Sequence, residues 1–218
     1  MGSEMCIRDR NYRIKEIYFT QQGEGKNTGK DFVFVRFAGC NLWSGKEKHR
    51  ASAVCKFCDT DFYGTDGVNG GVYETKDLVT KIKSLWVSMD SEIRVVLTGG
   101  EPLLQVDDSL ITALKKANIY IAIETNGTLK APKGIDWICM SPKANTDIKL
   151  TEGSEIKVIY PQENLNPADF NNMNFSNYYI QPMDSKDYEA NVSKSVEFCM
   201  QNSNWRLSPQ THKILGIR

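Results

Sequence analysis

Short apolar runs suited to strands alternate along this chain with amphipathic segments of helical period, and few folds accommodate that order. Phe32 to Phe37 is rich in β-branched and aromatic residues and reads as a strand, as does the shorter run Ile14 to Phe19 before it. Glu74 to Trp86 reads as a helix, because Leu78, Val79, Ile82, Leu85 and Trp86 share one face. Ile93 to Leu97 is a strand, Asp108 to Ala117 a helix, and Tyr120 to Thr125 a strand again. Further strands are expected at Trp137 to Met140, Glu155 to Tyr160 and Tyr178 to Gln181, and a last helix at Asn191 to Gln201. Strands that alternate with helices make βα units and a parallel sheet. About six strands are too few for a closed eight-stranded barrel, so an α/β fold with a partial, open parallel β/α barrel is expected. Asn164 to Asn177 reads as a surface loop with a short helical turn. In such folds chemistry gathers at the carboxyl ends of the strands. The unusual segments stand there: Cys40, then Gly99-Gly100-Glu101, Asn126-Gly127, Ser141-Pro142-Lys143 and Gln181-Pro182-Met183.

With 218 residues the chain supports one core, expected over residues 12–218. Residues 1–11 show no period and read as a disordered or artefactual extension, so Cys6 is set aside. The 27 Lys and Arg balance 27 Asp and Glu. Zero net charge argues against a nucleic-acid binder, which needs a basic face. No apolar run approaches the roughly 18 residues that span a bilayer. No membrane association is expected. No secretory signal is visible, so a cytoplasmic protein is expected.

Three of the six cysteines, Cys40, Cys55 and Cys58, fall in a C-x14-C-x2-C pattern. Thiolates are soft ligands that suit zinc or iron–sulfur clusters. A structural zinc site takes four ligands, and His49 is the candidate fourth. A [4Fe–4S] cluster held by three thiolates instead leaves one iron open for another ligand. Cys139 and Cys199 read as core residues.

Other segments join this pattern in order. Phe57 precedes the last cysteine and Cys58-Asp59-Thr60 follows. Gln22-Gly23-Glu24-Gly25, Gly99-Gly100-Glu101-Pro102, Glu124-Thr125-Asn126-Gly127, Ser141-Pro142-Lys143 and the tail Gln210 to Arg218 complete the set. Together these motifs resemble the radical S-adenosylmethionine (SAM) superfamily, and within it the 7-carboxy-7-deazaguanine synthase family. The likeness runs from about Tyr12 to the last residue, and fourteen residues between the first two cysteines match the family's enlarged motif. It implies that Cys40, Cys55 and Cys58 hold a [4Fe–4S] cluster whose fourth iron binds SAM. It implies a lyase that turns 6-carboxy-5,6,7,8-tetrahydropterin into 7-carboxy-7-deazaguanine with loss of ammonia, in queuosine biosynthesis. A homodimer and an electron donor such as flavodoxin are implied as partners.

The same resemblance distributes roles. Phe57, Gly99, Gly100, Glu101, Glu124, Ser141, Lys143 and Gln181 fall where the family binds SAM. Glu101 reads either as a partner for the SAM amino group or as the start of a helix, Lys143 also as a surface charge, and Gln181 also as a structural amide. Gln22, Glu24, Arg36, Thr98, His212 and Arg218 are expected to contact substrate. Arg36 stands inside an apolar strand and needs a partner there, either a substrate carboxylate or a protein carboxylate such as Glu24. Thr60 is the candidate Mg²⁺ ligand, with a capping hydroxyl as the alternative reading. The basic residues Lys46, Lys48 and Arg50 of the 41–54 insert are expected to be solvated, or else to meet the electron donor.

Overall fold

The computed structural model describes residues 10–90 and 92–217. Nine strands form one sheet: β1 (Asn11–Gln21), β2 (Asp31–Phe37), β3 (Gly71–Glu74), β4 (Ile93–Gly99), β5 (Ile119–Thr125), β6 (Trp137–Met140), β7 (Glu152–Tyr160), β8 (Asn174–Pro182) and β9 (Trp205–Leu207). Their order is β3-β1-β2-β4-β5-β6-β7-β8-β9. From β2 to β9 every pairing is parallel, while β1 runs antiparallel to both β2 and β3. The sheet does not close, since β3 and β9 are its two edges. The expected open, mostly parallel barrel is therefore present, with nine strands rather than about six. The short edge strands β3 and β9 carry too few residues to register as apolar runs.

Four helices accompany the sheet: α1 (Thr75–Leu85), α2 (Asp108–Lys116), α3 (Tyr188–Gln201) and the short α4 (Thr211–Leu215). Asp107 caps α2, its carboxylate accepting from the Leu110 amide at 3.1 Å. The connections after β5 and β6 carry no helix. Within the expected loop 164–177, Pro167–Phe170 forms a 3₁₀ turn, but Asn174 to Asn177 already belong to β8. The 41–54 insert has one 3₁₀ segment, Glu47–Ser52. Asn11 opens β1 and pairs with Glu74, and the Arg10 guanidinium meets Asp107 at 3.0 Å. Both belong to the ordered sheet region rather than to the expected extension; the rest of that extension, Cys6 included, lies outside the described residues. Among those residues no helix is long and apolar enough to cross a membrane.

Strand alternation sorts the side chains into two layers. Val33, Val35, Phe37, Val95, Leu97, Ile121 and Ile123 face outwards and pack with Leu78, Ile82, Leu110 and Leu114 of α1 and α2. Ile156, Val158 and Ile180 do the same beneath α3, with Trp205. On the concave face Phe32, Phe34, Val96 and Ala122 form an apolar plug. Farther along the same face the residues turn polar, at Arg36, Thr98 and Glu124. The plug closes one end of the open barrel, and the polar layer above it is where a ligand can bind.

Candidate active site

A cavity of about 360 Å³ lies at the carboxyl ends of the parallel strands, within the range of small-molecule sites. Cys40, Cys55, Phe57, Cys58 and Thr60 form one wall; Gln22, Glu24, Arg36, Thr98, Glu124, Gln181 and His212 line the rest, with Gly99, Gly100, Ser141 and Lys143 between. Of the expected site residues among the described ones, only Glu101 is not on its lining. Arg218 lies outside the described residues.

The cysteine wall is built by the insert. The three cysteines are free thiols. Arg50, expected in solvent, is instead a strut: its guanidinium donates to the carbonyls of Lys56 and Cys58 at 2.9 and 3.0 Å, and lies 4.1 Å from the centre of the Trp43 ring. Trp43 meets Phe62 edge-on at 5.5 Å. This bracket folds the C-x2-C loop back towards Cys40. The Cys55 thiol hydrogen-bonds Cys58, which holds Cys58 down at about 6 against the upward push of burial. The same bond, then burial, pushes the Cys55 thiol up. The contact thus favours the thiolate form of Cys58, the form that binds metal. His49 is not part of this wall; it shares a 2.8 Å hydrogen bond with Ser44. Among the described residues no three Cys, His, Asp or Glu side chains converge on a single metal-ion position. All three thiols line the one cavity, and a cluster, unlike a single ion, distributes its thiolates over several irons.

Gly99 and Gly100 are required by backbone contact. A Cβ on Gly99 would sit 2.7 Å from the Phe37 nitrogen, and one on Gly100 would sit 2.7 Å from the Cys40 Cβ. These glycines let β4 lie against the end of β2, which sets where Cys40 stands. Glu101 is fully buried, and both its oxygens are taken. Its carboxylate accepts from the Leu103 amide at 2.9 Å, the Thr125 hydroxyl at 2.8 Å and the Asn126 amide at 2.7 Å. It ties the end of β4 to the end of β5 rather than facing the cavity. Lys143 is partly buried and donates to the Ser141 carbonyl and hydroxyl at 2.6 and 2.8 Å. Burial pulls its ammonium pKa down, while Cys55 and Cys58 oppose that shift. It is a cavity cation, not a surface charge.

The opposite floor is a polar network. The Gln22 amide donates to Glu124 at 2.9 Å, and its oxygen accepts from the Glu24 backbone amide at 3.1 Å. Glu24 accepts from Gln181 at 3.1 Å and from Gln210 at 2.8 Å, and pairs with the ammonium of Lys157. Burial pushes the Glu24 carboxyl up, but Lys157 and the Gln210 hydrogen bond outweigh it and hold it at about 2. Sequence reading missed Lys157. Its signal was present, a lone charge between Ile156 and Val158, the same anomaly that exposed Arg36. Arg36 itself takes Glu16 as its carboxylate partner, at 2.8 Å across the β1–β2 pairing, and also donates to the Tyr18 hydroxyl at 3.1 Å. Glu24 is not that partner. His212, on α4, packs on Gly23, where a Cβ would come within 2.8 Å of its ring. The α4 segment is held by Thr211, whose amide donates to the Gly23 carbonyl at 3.0 Å, and by Lys213, which meets Asp59 and Asp184 at 2.6 and 2.5 Å.

Two buried polar atoms of lining residues have no partner: the Trp43 indole N–H beside the cysteine wall and the Gln181 side-chain oxygen. Gln181 donates its amide to an ionised carboxylate, so its oxygen is the free end. Buried groups of this kind are normally satisfied, and a bound ligand would do so. The three thiols and these two orphans fit a cluster on one side and a hydrogen-bonding ligand on the other.

No family model matches the chain. The 7-carboxy-7-deazaguanine synthase of Caulobacter vibrioides is 52% identical over 207 residues, covering 94% of this chain and 99% of that protein. That of Bradyrhizobium diazoefficiens is 50% identical over 209 residues, covering 95% and 100%. Among solved structures, the crystal structure of QueE from Escherichia coli superposes with a TM-score of 0.70, at 24% identity, over 92% of this chain and 94% of that one, a likeness of fold. Near-complete coverage at about half identity shows that this chain belongs to the 7-carboxy-7-deazaguanine synthase family.

Proposed function

We propose that this protein is a radical SAM lyase that converts 6-carboxy-5,6,7,8-tetrahydropterin to 7-carboxy-7-deazaguanine with loss of ammonia. The observation that carries the reading is a single cavity lined by three thiols, by the carboxylates of Glu24 and Glu124 and by the amides of Gln22, Gln181 and Gln210. Cys40, Cys55 and Cys58 would hold a [4Fe–4S] cluster, and Gly99, Gly100, Ser141, Lys143 and Phe57 would border SAM. Bound together, cluster and SAM supply one-electron, hydrogen-abstracting chemistry.

The chain's own residues do the rest. Glu24 and Glu124 accept from the N–H groups of a fused-ring substrate, and the free Gln181 oxygen adds a third acceptor. His212 and Thr98 border the same space. Arg36 keeps its charge near the substrate carboxylate while Glu16 holds its orientation. Lys143 supplies positive charge next to the thiolate wall. Phe34, stacked on Tyr18 at 5.6 Å, belongs to the plug that keeps water from entering below. Thr60 would contribute an oxygen to Mg²⁺, together with oxygens of the substrate. Glu101 acts through Thr125 and Asn126 as a positioning residue. The protein would work in the cytoplasm as a homodimer, reduced by a donor such as flavodoxin.

The test is an anaerobic reaction of the reconstituted protein with SAM, reductant, Mg²⁺ and the pterin, read by mass spectrometry. The account expects 7-carboxy-7-deazaguanine from the wild type and none from Cys55→Ala. SAM cleavage without this product would assign a different substrate.

A further inference from the structure

We propose that Lys157 is a positioning residue for substrate recognition, whose buried ammonium fixes the orientation and charge of Glu24 and Glu124. The proposal rests on the functional reading above, in which those carboxylates receive substrate N–H groups. Lys157 sits in the middle of β7, and its side chain is 4% exposed. Its neighbours Ile156 and Val158 face the outer core, so alternation turns Lys157 into the barrel. An ammonium is seldom placed there without a paired charge. It bonds Glu24 directly and stands 3.7 Å from a Glu124 oxygen. One cation therefore serves two carboxylates from separate parts of the chain, one in the turn after β1 and one in β5.

Removing that cation leaves the two partly buried carboxylates that shared it, 13% and 24% exposed, without a counter-charge between them. Like charges so placed do not both ionise, and one takes up a proton. A protonated carboxyl donates where the substrate needs an acceptor. Glu24 is also faced by His212 from α4 and by the neutral amides of Gln181 and Gln210, with Glu124 on β5 beyond Lys157. Glu155, on the same face of β7, accepts from the Lys26 amide at 2.8 Å, and burial pushes its carboxyl up. Glu155 and the buried Cys139 thiol also face Lys157, behind Glu124 and Glu24 in their effect on it.

The test compares the full-length reconstituted holoenzyme with Lys157→Met and Lys157→Arg. KM for the pterin, kcat, iron content and the electron paramagnetic resonance signal with SAM are measured from pH 6 to pH 8. In Lys157→Met, KM is expected to rise about tenfold at pH 8 and about a hundredfold at pH 6, as a charged acceptor is lost to protonation. Lys157→Arg should keep the pH profile of the wild type, and iron content and the SAM signal should be unchanged in both. His212 is present in all three proteins, so the ratio of KM at pH 6 to KM at pH 8 isolates Lys157. An equal ratio in wild type and Lys157→Met overturns the proposal, as does a parallel loss of iron, kcat and KM, which marks a merely structural role. Should Lys157→Met not fold, Lys157→Gln takes its place with the same readout, and an equal KM ratio between pH 6 and pH 8 in it and in the wild type would overturn the proposal. A wild type that makes no deazapurine refutes the functional reading instead.

Discussion

Gly100→Ala tests how the sheet places the first cysteine. The Gly100 amide donates to the Phe37 carbonyl at 3.4 Å and the Glu101 amide to the Gly39 carbonyl at 3.0 Å, so this segment lies directly on the end of β2. An added methyl would stand 2.7 Å from both the Cys40 Cβ and the Gly39 carbonyl carbon. Carbon atoms rest comfortably at about 3.5–4.0 Å, so the two backbones must part by about 1 Å. Overpacking of this size costs about 1–3 kcal/mol. In a chain of this length that lowers Tm by about 2–12 °C. Cys40 moves with the displaced backbone, and disturbing the support of a metal ligand weakens metal retention about 10- to 100-fold. The assay is iron and sulfide content after anaerobic reconstitution, with Tm of the cluster-free protein recorded beside it. Gly29→Ala is the control: its φ of +84° disfavours any side chain, but no atom lies within 4 Å of the added Cβ. It should lower Tm and leave iron unchanged. Wild-type iron retention in Gly100→Ala would refute the reasoning.

Three further outcomes follow from the structure. Arg50→Met removes the strut under the C-x2-C loop and should lower iron content. Lys46→Glu with Lys48→Glu should slow turnover with flavodoxin while leaving it unchanged with dithionite; equal slowing with both reductants would remove the insert as a docking face. Glu24 has a folded pKa near 2 against an ordinary value of 4.5. A lowered folded pKa stabilises above the unfolded value, and that contribution is lost as pH falls from about 4.5 towards 2. Urea unfolding across this window should show the wild type losing more stability than Glu24→Gln, and parallel curves would contradict the assignment.

The fold was legible where periodicity was strong. The apolar strands β2, β4 and β5 and the helices α1 and α2 were placed to within a residue or two, because the strands are apolar on both faces and each helix shows one apolar face to the core. The edges were not. β3 and β9 are short, half-exposed and held by a neighbour rather than by their own pattern. Glycine and cysteine spacing marked the site, yet side-chain partners escaped it. Glu101 reads as a ligand in a strand-end motif, but its oxygens are consumed by backbone and hydroxyl donors that sequence does not bring together. Arg36 was correctly seen to need a carboxylate, but its partner lay across an antiparallel pairing, at Glu16. Arg50 looked solvated because nothing in a sequence announces that two carbonyls and an indole wait for it. Lys157 shows that the rule used for Arg36, a charge inside an apolar strand, applied equally well to β7.

The central claim is that one cavity joins the thiolate wall to the carboxylate floor, so that hydrogen passes from the pterin to SAM-derived deoxyadenosine. The direct measurement uses ring-deuterated pterin with unlabelled SAM and follows both products by mass spectrometry. Substrate and product differ by ammonia alone, so a hydrogen taken from the ring must be returned; the account predicts deuterium washed into the deoxyadenosyl group, read in both SAM and deoxyadenosine, while the deazapurine accumulates. Deazapurine that accumulates with no deuterium in either SAM or deoxyadenosine would contradict it.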